Sequence, residues 1–422
     1  MSVVIKETHN IQMLKPKPRT QIPLSKFDTI SCYINLVYFF KNVHNEFDFM
    51  NVQKIQNSLR DILTDYHPLT GAIIKNETDN QLLIDCDDRG IPFVTAEGSS
   101  AMIEQLEEDS RTETLESFIV NNDILNKVTR VPLLAVQHTK LVPDGSVVIG
   151  ISIHHTAADG AAAFGFLENW SRKARHEQIL VPPVHVRDIF KEDKKDNGKQ
   201  NGVKLSNEKN NAAPPKLHNA VKPSKRFHFS NDQLNKLREV YSTDIPKGKW
   251  VSTNDVIVAH LTRNITRVRN IDSNAEATGV FICAIACNVR EKFKLSKGYF
   301  GNAFCTISAL LPVSKLINGS RSEVALQIRE TISKVEDADI QFFEDWFKEK
   351  SKGQIPTEGF LVFSNWSKFP AYELDLGYGK PTRFRPAMDL ENAIVFSGTA
   401  NNNGIDAFIY LKNEQLDKLN FD

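Results

Sequence analysis

The chain has 422 residues, of which 52 are lysine or arginine and 52 are aspartate or glutamate, so its formal net charge is zero. This balance argues against a general nucleic-acid-binding protein, which usually carries a basic domain or stripe. The length and a hydrophobic fraction of 41% are ordinary for a soluble globular protein of two to three domains. No apolar run approaches the roughly 18 residues of a membrane-spanning helix, and the N-terminus lacks the apolar segment of a secretory signal.

The cysteines stand far apart and form no C-x-x-C pair, which argues against a disulfide framework and against a zinc site. We therefore expect small buried thiols in a reducing compartment and no bound metal. Because no targeting signal is visible, we expect a cytoplasmic protein. The cysteines are Cys32, Cys86, Cys283, Cys287 and Cys305.

Predicted helices and strands are mixed in both halves of the chain. Residues 48–63 carry apolar side chains at helical spacing, and residues 252–268 do the same behind a capping-box pair, Ser252 and Asp255. A short helix is expected from residue 414, and runs rich in β-branched residues predict strands. The predicted strands cover residues 81–86, 146–153, 279–287, 359–363, 393–396 and 407–411.

One segment interrupts this pattern. Residues 191–225 are rich in lysine, asparagine, glycine and proline and poor in large apolar groups, so they cannot bury enough surface to offset their ordering entropy. We predict a crossover linker here, with an N-terminal domain of residues 1–190 and a C-terminal domain of residues 226–422. The lysines of the linker form a solvated surface or, alternatively, attract an anionic ligand.

The strongest chemical signal is an H-x-x-x-D-G motif formed by His155, Asp159 and Gly160. An apolar strand runs into it and a run of small residues follows, so His155 is expected at a strand-to-helix turn. An imidazole there suits general-base catalysis, because its pKa lies near physiological pH. A structural histidine is the alternative. His154, of opposite side-chain parity, is expected in the core.

Two roles are open for Asp159. It could orient His155 as a triad carboxylate does, or it could turn away and brace the loop by pairing with an arginine. We favour bracing.

A second signal lies near the C-terminus. Asp375, Gly377 and Gly379 stand in a D-x-G-x-G-x-P segment that predicts a rigid, turn-rich structural corner. Trp366 precedes it. Its indole N–H only donates, so it must find an acceptor when it is buried, and a developing oxyanion is one such acceptor. A packed core tryptophan is the competing interpretation.

Together these motifs resemble the BAHD superfamily of CoA-dependent acyltransferases, and its hydroxycinnamoyltransferases in particular. That superfamily is marked by H-x-x-x-D-G near the middle and D-F-G-W-G near the C-terminus. Leu376 and Tyr378 replace the usual phenylalanine and tryptophan of the second motif, which is remote from catalysis in the family. Further segments similar to family landmarks are residues 23–28, 67–72, 252–260 and 299–302.

The resemblance implies an α/β fold of two chloramphenicol-acetyltransferase-like domains, each with a mixed sheet, joined by a long crossover loop. A tunnel would run between them, with acyl-CoA as co-substrate on one side and an alcohol or amine acceptor on the other. His155 would act as general base and Trp366 would hold the oxyanion. Arg290 would pair with Asp159, while Asp375, Gly377 and Gly379 would support the site structurally. No permanently bound cofactor is implied.

The resemblance also suggests the binding residues. Ile34, Leu36, Tyr38 and Ser364 would line the acceptor pocket. Ile34 and Leu36 stand where the shikimate and quinate branch has hydroxyl groups, so a less polar acceptor is expected.

The CoA phosphates would sit at the start of the helix that Ser252 caps. Free backbone N–H groups and the helix dipole favour anions there. Ser252 and Thr253 would bind the phosphates, and Lys247 or Lys249 would add charge or remain a solvated surface.

Two other function classes remain open. A condensation-type domain that takes acyl groups from carrier proteins would carry the same H-H-x-x-x-D-G motif. A non-catalytic binding protein of the same fold is the third possibility. We expect a monomer, because the tunnel and the base would lie within one chain.

Overall fold

The computed structural model describes residues 3–28, 30–76, 81–102, 115–125, 131–187, 221–269, 279–334 and 358–421. The strands are, in chain order, β1 (Val4–Ile11), β2 (Thr20–Pro23), β3 (Tyr33–Phe40), β4 (Ala72–Lys75), β5 (Leu82–Cys86), β6 (Ile91–Ser99), β7 (Leu134–Val142), β8 (Val147–His154), β9 (Ser224–Ser230), β10 (Val280–Asn288), β11 (Phe304–Pro312), β12 (Phe360–Trp366), β13 (Arg383–Pro386), β14 (Ala393–Gly398) and β15 (Gly404–Tyr410). The helices are α1 (Val52–Asp65), α2 (Asn122–Leu125), α3 (Gly160–Ala174), α4 (Asn231–Ser242), α5 (Thr253–Val268), α6 (Val313–Asn318), α7 (Arg321–Ser333) and α8 (Asn413–Lys418).

The first large sheet has six strands in the order β1-β6-β7-β8-β3-β13. Only the β6–β7 pair is parallel among its described pairs, so the sheet is mixed. Every residue of β3 and β8 is buried, which explains why both read as continuous apolar runs. Helices α1 and α3 contribute apolar side chains to the core on one face of this sheet.

The second large sheet has the order β11-β10-β12-β14-β15-β9. Its central pairs, β10–β12 and β12–β14, are parallel and the others antiparallel. Helices α5 and α7 pack into its core. The predicted fold class, two α/β domains with one mixed sheet each, is confirmed. A small third sheet, β2-β5-β4, stands beside them.

Most predicted elements agree with the structure to within a few residues. The helix predicted from residue 48 is an exception, because α1 begins at Val52. The Asn51 side chain caps it by accepting a hydrogen bond from the Lys54 N–H, and Met50 before it has a positive φ of 51°. The apolar spacing alone could not reveal where the helix starts, because the apolar residues of the preceding turn continue the same spacing.

The boundary between the sheets does not follow the two halves of the sequence. Strand β13 lies late in the chain, yet it pairs with β3 of the first sheet. Residues 188–220, most of the predicted crossover, lie outside the described residues, and β9 begins at Ser224. The proposed domain limits therefore stay predictions.

The D-x-G-x-G segment forms a tight turn around one carboxylate. The Asp375 Oδ1 atom accepts hydrogen bonds from the N–H groups of Gly377, Tyr378 and Gly379 at 2.8, 3.2 and 3.0 Å. Gly377 and Gly379 have φ values of 91° and 92°, a region that L-residues with a Cβ rarely adopt. The spacing of the motif thus follows from backbone geometry.

This turn attaches the chain between β12 and β13 to the helices of the first domain. The Ser171 hydroxyl on α3 accepts from the Asp375 N–H at 2.9 Å, and Arg175 Nη1 donates to the Asp375 carbonyl at 3.1 Å. At the other side, the Asn51 N–H donates to the Tyr378 hydroxyl at 3.1 Å. Tyr378 therefore has a structural role of its own. None of these residues lines the large cavity described below.

His154 ends β8 with its side chain in the interior, 2% exposed, where its ring meets Tyr33 edge to face at 5.1 Å. It also accepts a hydrogen bond from the Thr156 N–H through Nδ1. Burial, and then the neighbouring His155, lowers the pKa of His154 to about 3. The core placement expected from strand parity thus makes it a neutral histidine.

We predict that Asp375→Ala lowers the free energy of unfolding by roughly 1–3 kcal/mol, because three N–H groups lose a charged acceptor. Urea denaturation would measure this loss. Glu373→Ala is the matched control, since Glu373 is exposed and pairs only with the exposed Lys380 among the described contacts. Its effect should be within about 0.5 kcal/mol. Equal effects of the two changes would contradict the structural role of the turn.

We also predict acid destabilisation governed by buried histidines. An unfolded histidine titrates near pH 6.5, whereas His154 in the folded chain titrates near 3. The unfolded chain therefore binds a proton that the folded chain does not. Stability present above pH 6.5 is lost as the pH falls, by up to roughly 1.4 kcal/mol per pH unit for this residue.

Urea denaturation between pH 7 and pH 5 checks this expectation. His154→Gln should flatten the fall of stability with pH by removing one titrating group. His44→Gln, a change at an exposed histidine, should leave the slope as it is in the wild type. Half-buried His185 and His260, with pKa values lowered to about 4 mainly by desolvation, contribute to the remaining slope, as do His67, His138 and His155, whose pKa values burial also lowers. An identical slope in both variants would refute the assignment.

Candidate active site

A cavity of about 650 Å³ opens between the two large sheets. Both halves of the chain supply its walls, and most of the contributing side chains are apolar. The lining residues are Ile30, Ser31, Cys32, Tyr33, Ile34, His155, Asp159, Gly160, Ala161, Ala286, Asn288, Arg290, Phe304, Val362, Ser364, Asn365, Trp366, Phe369, Met388, Asp389, Leu390, Ala393, Ile394 and Val395.

His155 lies at the turn from β8 to α3, as the motif predicts. Its N–H donates to the Cys32 carbonyl at 2.8 Å, and the Ala157 N–H closes the turn on the His154 carbonyl at 2.8 Å. At Gly160, where α3 begins, a Cβ atom would lie only 3.1 Å from the Phe369 ring. The glycine therefore lets the helix start close against the aromatic wall of the cavity.

The His155 ring is oriented by an amide. Its Nδ1 atom lies 2.9 Å from Asn302 Oδ1. Asn302 Nδ2 donates to Asp28 Oδ1 at 2.9 Å and to the His155 carbonyl at 2.7 Å. Because both partners are acceptors, the amide nitrogen must face them, and the amide oxygen Oδ1 must face the His155 ring. The His155 Nδ1 atom then carries the proton and donates it. Its Nε2 atom keeps a free lone pair, as a general base requires.

A buried ion pair holds Asp28 behind this amide. Arg187 Nη1 lies 2.9 Å from Asp28 Oδ1, and the two side chains are 1% and 0% exposed. The same guanidinium donates to the carbonyl groups of Thr156 and Ala157 at 3.0 and 2.7 Å. It thereby braces the turn that carries His155.

Sequence reasoning assigned no role to Asn302, Asp28 or Arg187. Asn302 and Asp28 lie in two of the segments that resemble the family, residues 299–302 and 23–28, and this was the available signal. No signal in the sequence pointed to Arg187, because its partners are distant in the chain.

Asp159 pairs with an arginine rather than with His155. Arg290 Nη1 and Nη2 donate to its two carboxylate oxygens at 2.7 and 2.8 Å, and the Ala303 N–H donates at 2.9 Å. Its Oδ1 atom also caps α3 by accepting from the Ala162 N–H. This geometry matches the bracing role favoured from the sequence and not the triad alternative.

Burial dominates the electrostatics of the site. It lowers the pKa of His155, although Asp159, the Asn302 hydrogen bond and Asp28 oppose the shift. Burial opposes the ionisation of Asp159, but the charge and hydrogen bonds of Arg290 together with the N–H groups of Ala162 and Ala303 outweigh it, and the pKa of Asp159 is lowered. The site therefore holds an ionised, fully paired carboxylate beside a neutral imidazole.

Trp366 and Ser364 act as a pair at the cavity wall. The Trp366 indole N–H donates to the Ser364 hydroxyl at 2.8 Å, and both residues line the cavity. The indole is 5% exposed and meets Phe164 edge to face at 5.8 Å. The single indole N–H is donated to Ser364, so a ligand oxygen placed here would meet the Ser364 hydroxyl as the available donor.

The predicted acceptor pocket is only partly assembled. Ile34 and Ser364 line the cavity, whereas Leu36 and Tyr38 do not. Leu36 is wholly buried in the core, and Tyr38 packs against Phe384 at 5.1 Å. Because β3 runs away from the cavity mouth, only its first residues reach the opening.

The predicted CoA residues stand outside the cavity. The Ser252 N–H and hydroxyl both donate to Asp255 Oδ2 at 2.7 Å, which closes the capping box of α5. Thr253 is the first residue of this helix. The helix start is linked to the cavity by Asn365, whose Nδ2 atom donates to Asn254 Oδ1 at 2.8 Å. Lys249 pairs with Glu330.

The described residues contain neither a cluster of metal ligands nor a membrane-spanning helix. No group of three or more histidine, cysteine, aspartate or glutamate side chains in these ranges could hold a metal ion. No helix there combines the length and the apolar character that crossing a membrane requires.

Comparisons with known proteins agree with this architecture. The hydroxycinnamoyltransferase 1 of Oryza sativa subsp. japonica is 23% identical, over 99% of this chain and 98% of its own. Vinorine synthase superposes with a TM-score of 0.74 at 20% identity, over 99% of this chain and 97% of its own. TRI101 of F. sporotrichioides, whose structure contains coenzyme A and T-2, gives a TM-score of 0.70 at 16% identity over 94% and 96% of the two chains.

A family model described as the transferase family matches residues 1–422. Its extent equals the whole chain, so the resemblance that the two motifs suggest holds along both domains. The chain therefore belongs to the transferase family of BAHD acyltransferases.

Proposed function

We propose that the chain moves an acyl group from a CoA thioester to an alcohol or amine acceptor in a ternary complex, with His155 as general base. The observation that carries this proposal is the Nδ1 contact of His155 with Asn302 Oδ1 at 2.9 Å, which leaves Nε2 free beside a cavity of about 650 Å³. Acyltransferase names among the relatives support the reaction class.

The reaction follows from these groups. His155 Nε2 takes the proton of the acceptor as its oxygen or nitrogen attacks the thioester carbonyl. The Ser364 hydroxyl, which accepts from the Trp366 N–H at 2.8 Å, donates its own proton to the oxyanion of the tetrahedral intermediate and so stabilises it together with Trp366. The carbon–sulfur bond then breaks, and the protonated His155 returns its proton to the leaving thiolate. The acylated acceptor and free CoA are the products.

Acyl-CoA enters, in this proposal, from the side of α5. Its phosphates approach the N-terminus of this helix, where backbone N–H groups and the helix dipole favour anions. The Ser252 hydroxyl donates its proton to Asp255 Oδ2 and accepts from the Asp255 N–H, so it has no proton left to donate to a phosphate. Thr253 is therefore the better hydroxyl donor. Asn254 and Asn365 would guide the pantetheine arm towards His155.

The acceptor is a largely apolar alcohol or amine. Ile34, Val362, Phe369 and Leu390 line the cavity and offer no hydrogen bonds from their side chains to a polyhydroxylated acid. A hydroxycinnamoyl donor fits the same apolar walls. Since one chain supplies both faces of the cavity, we also propose that it acts as a monomer. We propose the cytoplasm as its compartment.

Two alternatives predict different substrates. A condensation-type domain would accept an acyl group on a carrier protein and make little use of free acyl-CoA. A non-catalytic relative would release no CoA. The Nε2 atom of His155 has no hydrogen-bond partner within the described ranges, and with the adjacent Trp366–Ser364 pair it favours an active transferase.

Release of CoA, followed with a thiol reagent, tests the proposal. Acetyl-CoA, malonyl-CoA, a long-chain acyl-CoA and p-coumaroyl-CoA would each be offered with pooled alcohols and pooled amines. We expect acceptor-dependent release by the wild type and a loss of about 10²–10⁴-fold in His155→Ala. Cys32→Ala is the matched control, because its thiol lines the same cavity and forms no acyl-enzyme in this mechanism.

Equal release by the wild type and His155→Ala would overturn the assignment of the base. Loss of activity in Cys32→Ala alone would indicate a covalent mechanism instead. Release only from an acyl carrier protein would favour the condensation-type alternative.

The pH dependence of kcat/KM gives an independent prediction. His155 must be neutral to accept a proton, and burial lowers its pKa below the ordinary 6.5. Activity should therefore persist on the acid side of pH 6.5 and decline only as the pH falls through the lowered pKa. An acid limb above pH 6.5 would contradict this environment.

Asn302→Ala tests the positioning role of the amide. We expect kcat/KM to fall by about ten-fold, the equivalent of one neutral hydrogen bond. The acid limb should move to lower pH, because the Asn302 contact raises the pKa of His155. Asn264→Ala is the control, since the Asn264 amide bonds only within α5. If kcat/KM falls but the acid limb of its pH profile does not move, Asn302 has a purely structural role.

A further inference from the structure

A second cavity, of about 310 Å³, lies where the two large sheets meet at their edges. Strand β13 is the last strand of the first sheet and β9 the last strand of the second. Arg383 and Arg385 enter the cavity from β13, and Arg226 enters from β9. Three guanidinium groups from two different sheets thus line one small space.

Arg385 is built into this cavity rather than laid on the surface. It is 4% exposed, and its guanidinium stacks on the Phe408 ring at 5.4 Å. Its Nη1 atom is buried and has no hydrogen-bond partner among the described residues. A buried guanidinium N–H without an acceptor is costly, so this group calls for a ligand that accepts hydrogen bonds.

Arginines outnumber carboxylates among the side chains that line the cavity. One carboxylate, Asp406, faces the three arginines. Arg226 Nη1 and His228 Nδ1 already share its Oδ1 atom at 3.4 and 2.9 Å. Burial and then the nearby Arg226 lower the pKa of Arg385 to about 10, which is the sign expected for a cation among cations. The Nε atom of Arg226 is also buried and, like Nη1 of Arg385, has no hydrogen-bond partner among the described residues.

We propose that this cavity binds the phosphate group of a phosphate monoester. Such a group carries about two negative charges at neutral pH and three acceptor oxygens, which matches the converging guanidinium groups and the buried N–H groups of Arg385 and Arg226 that have no acceptor among the described residues. It would bridge β13 and β9 and so join the two sheets at an edge. The apolar walls formed by Tyr372 and Phe384 leave room for part of the organic ester.

The phosphate can come from a free metabolite or from the 3′-phosphate of CoA, and the experiment separates the two sources. Thermal unfolding would be followed in sodium phosphate and in sodium chloride of equal ionic strength. Calorimetry would then measure the binding of adenosine 3′,5′-bisphosphate and of CoA. The proteins would be the wild type, Arg385→Met, Arg226→Met and, as the matched control, Arg238→Met, an exposed arginine on α4.

We expect phosphate to raise the unfolding temperature of the wild type and of Arg238→Met more than chloride does. Arg385→Met and Arg226→Met should lose this difference, with dissociation constants for the phosphate probe raised about ten-fold or more. Arg226→Met keeps the test valid if Arg385→Met does not fold. No phosphate-specific rise in the wild type, or the same rise in all four proteins, would overturn the proposal.

The two sources give different patterns for CoA. If CoA supplies the phosphate, its affinity should fall in Arg385→Met and Arg226→Met together with that of the bisphosphate. If a separate metabolite supplies it, CoA affinity should stay at the wild-type value while the phosphate effect is lost. Both readouts are binding measurements, so they are independent of whether the proposed acyl transfer occurs.

Discussion

The carboxylate of Asp159 is the constraint on which the rest of the site depends. It caps α3 of the first domain and accepts two charged hydrogen bonds from Arg290, which follows β10 of the second domain. It also accepts from the Ala303 N–H just before β11. Because the carboxylate is only 4% exposed, removal of its arginine would leave a buried charge uncompensated, at a cost of about 3–5 kcal/mol. These contacts of Asp159 therefore join the two domains beside the cavity.

This use of Asp159 leaves the orientation of the proposed base, His155, to a neutral group. A carboxylate on His155 Nδ1 would raise the basicity of the imidazole, whereas the Asn302 amide fixes the tautomer with a weaker effect on charge. The half-buried imidazole thus stays neutral, and its pKa stays below the ordinary value. The negative charge of Asp28 lies behind Asn302 and is compensated by Arg187. In the proposed mechanism the ion pairs support the site, and a neutral ring transfers the proton.

Local patterns predicted what local forces determine. The strand that ends at His154, the helix capped by Ser252 and the tight turn at Asp375 each depend on a few adjacent residues, and sequence reasoning placed them correctly. The contacts of Arg187 and Asn302 join residues far apart in the chain, so no periodicity could reveal them. Leu36 and Tyr38 were assigned to the pocket by resemblance, but the direction of β3 carries them into the core. The pairing of β13 with β3 crosses the domain order in the same way.

The walls of the cavity show the same division between a fixed part and a part outside the regular elements. Gly160, Phe369, Phe164 and Trp366 form a packed unit, in which a Cβ atom at residue 160 would lie 3.1 Å from the Phe369 ring. This packing fixes the Trp366 N–H relative to the start of α3, and hence to His155. By contrast, Met388, Asp389 and Leu390 line the cavity from the connection after β13, outside any strand or helix. Under the proposed mechanism, substitutions there would reshape the acceptor side without disturbing proton transfer, because no residue of this connection contacts the Asn302–His155 pair through a described hydrogen bond.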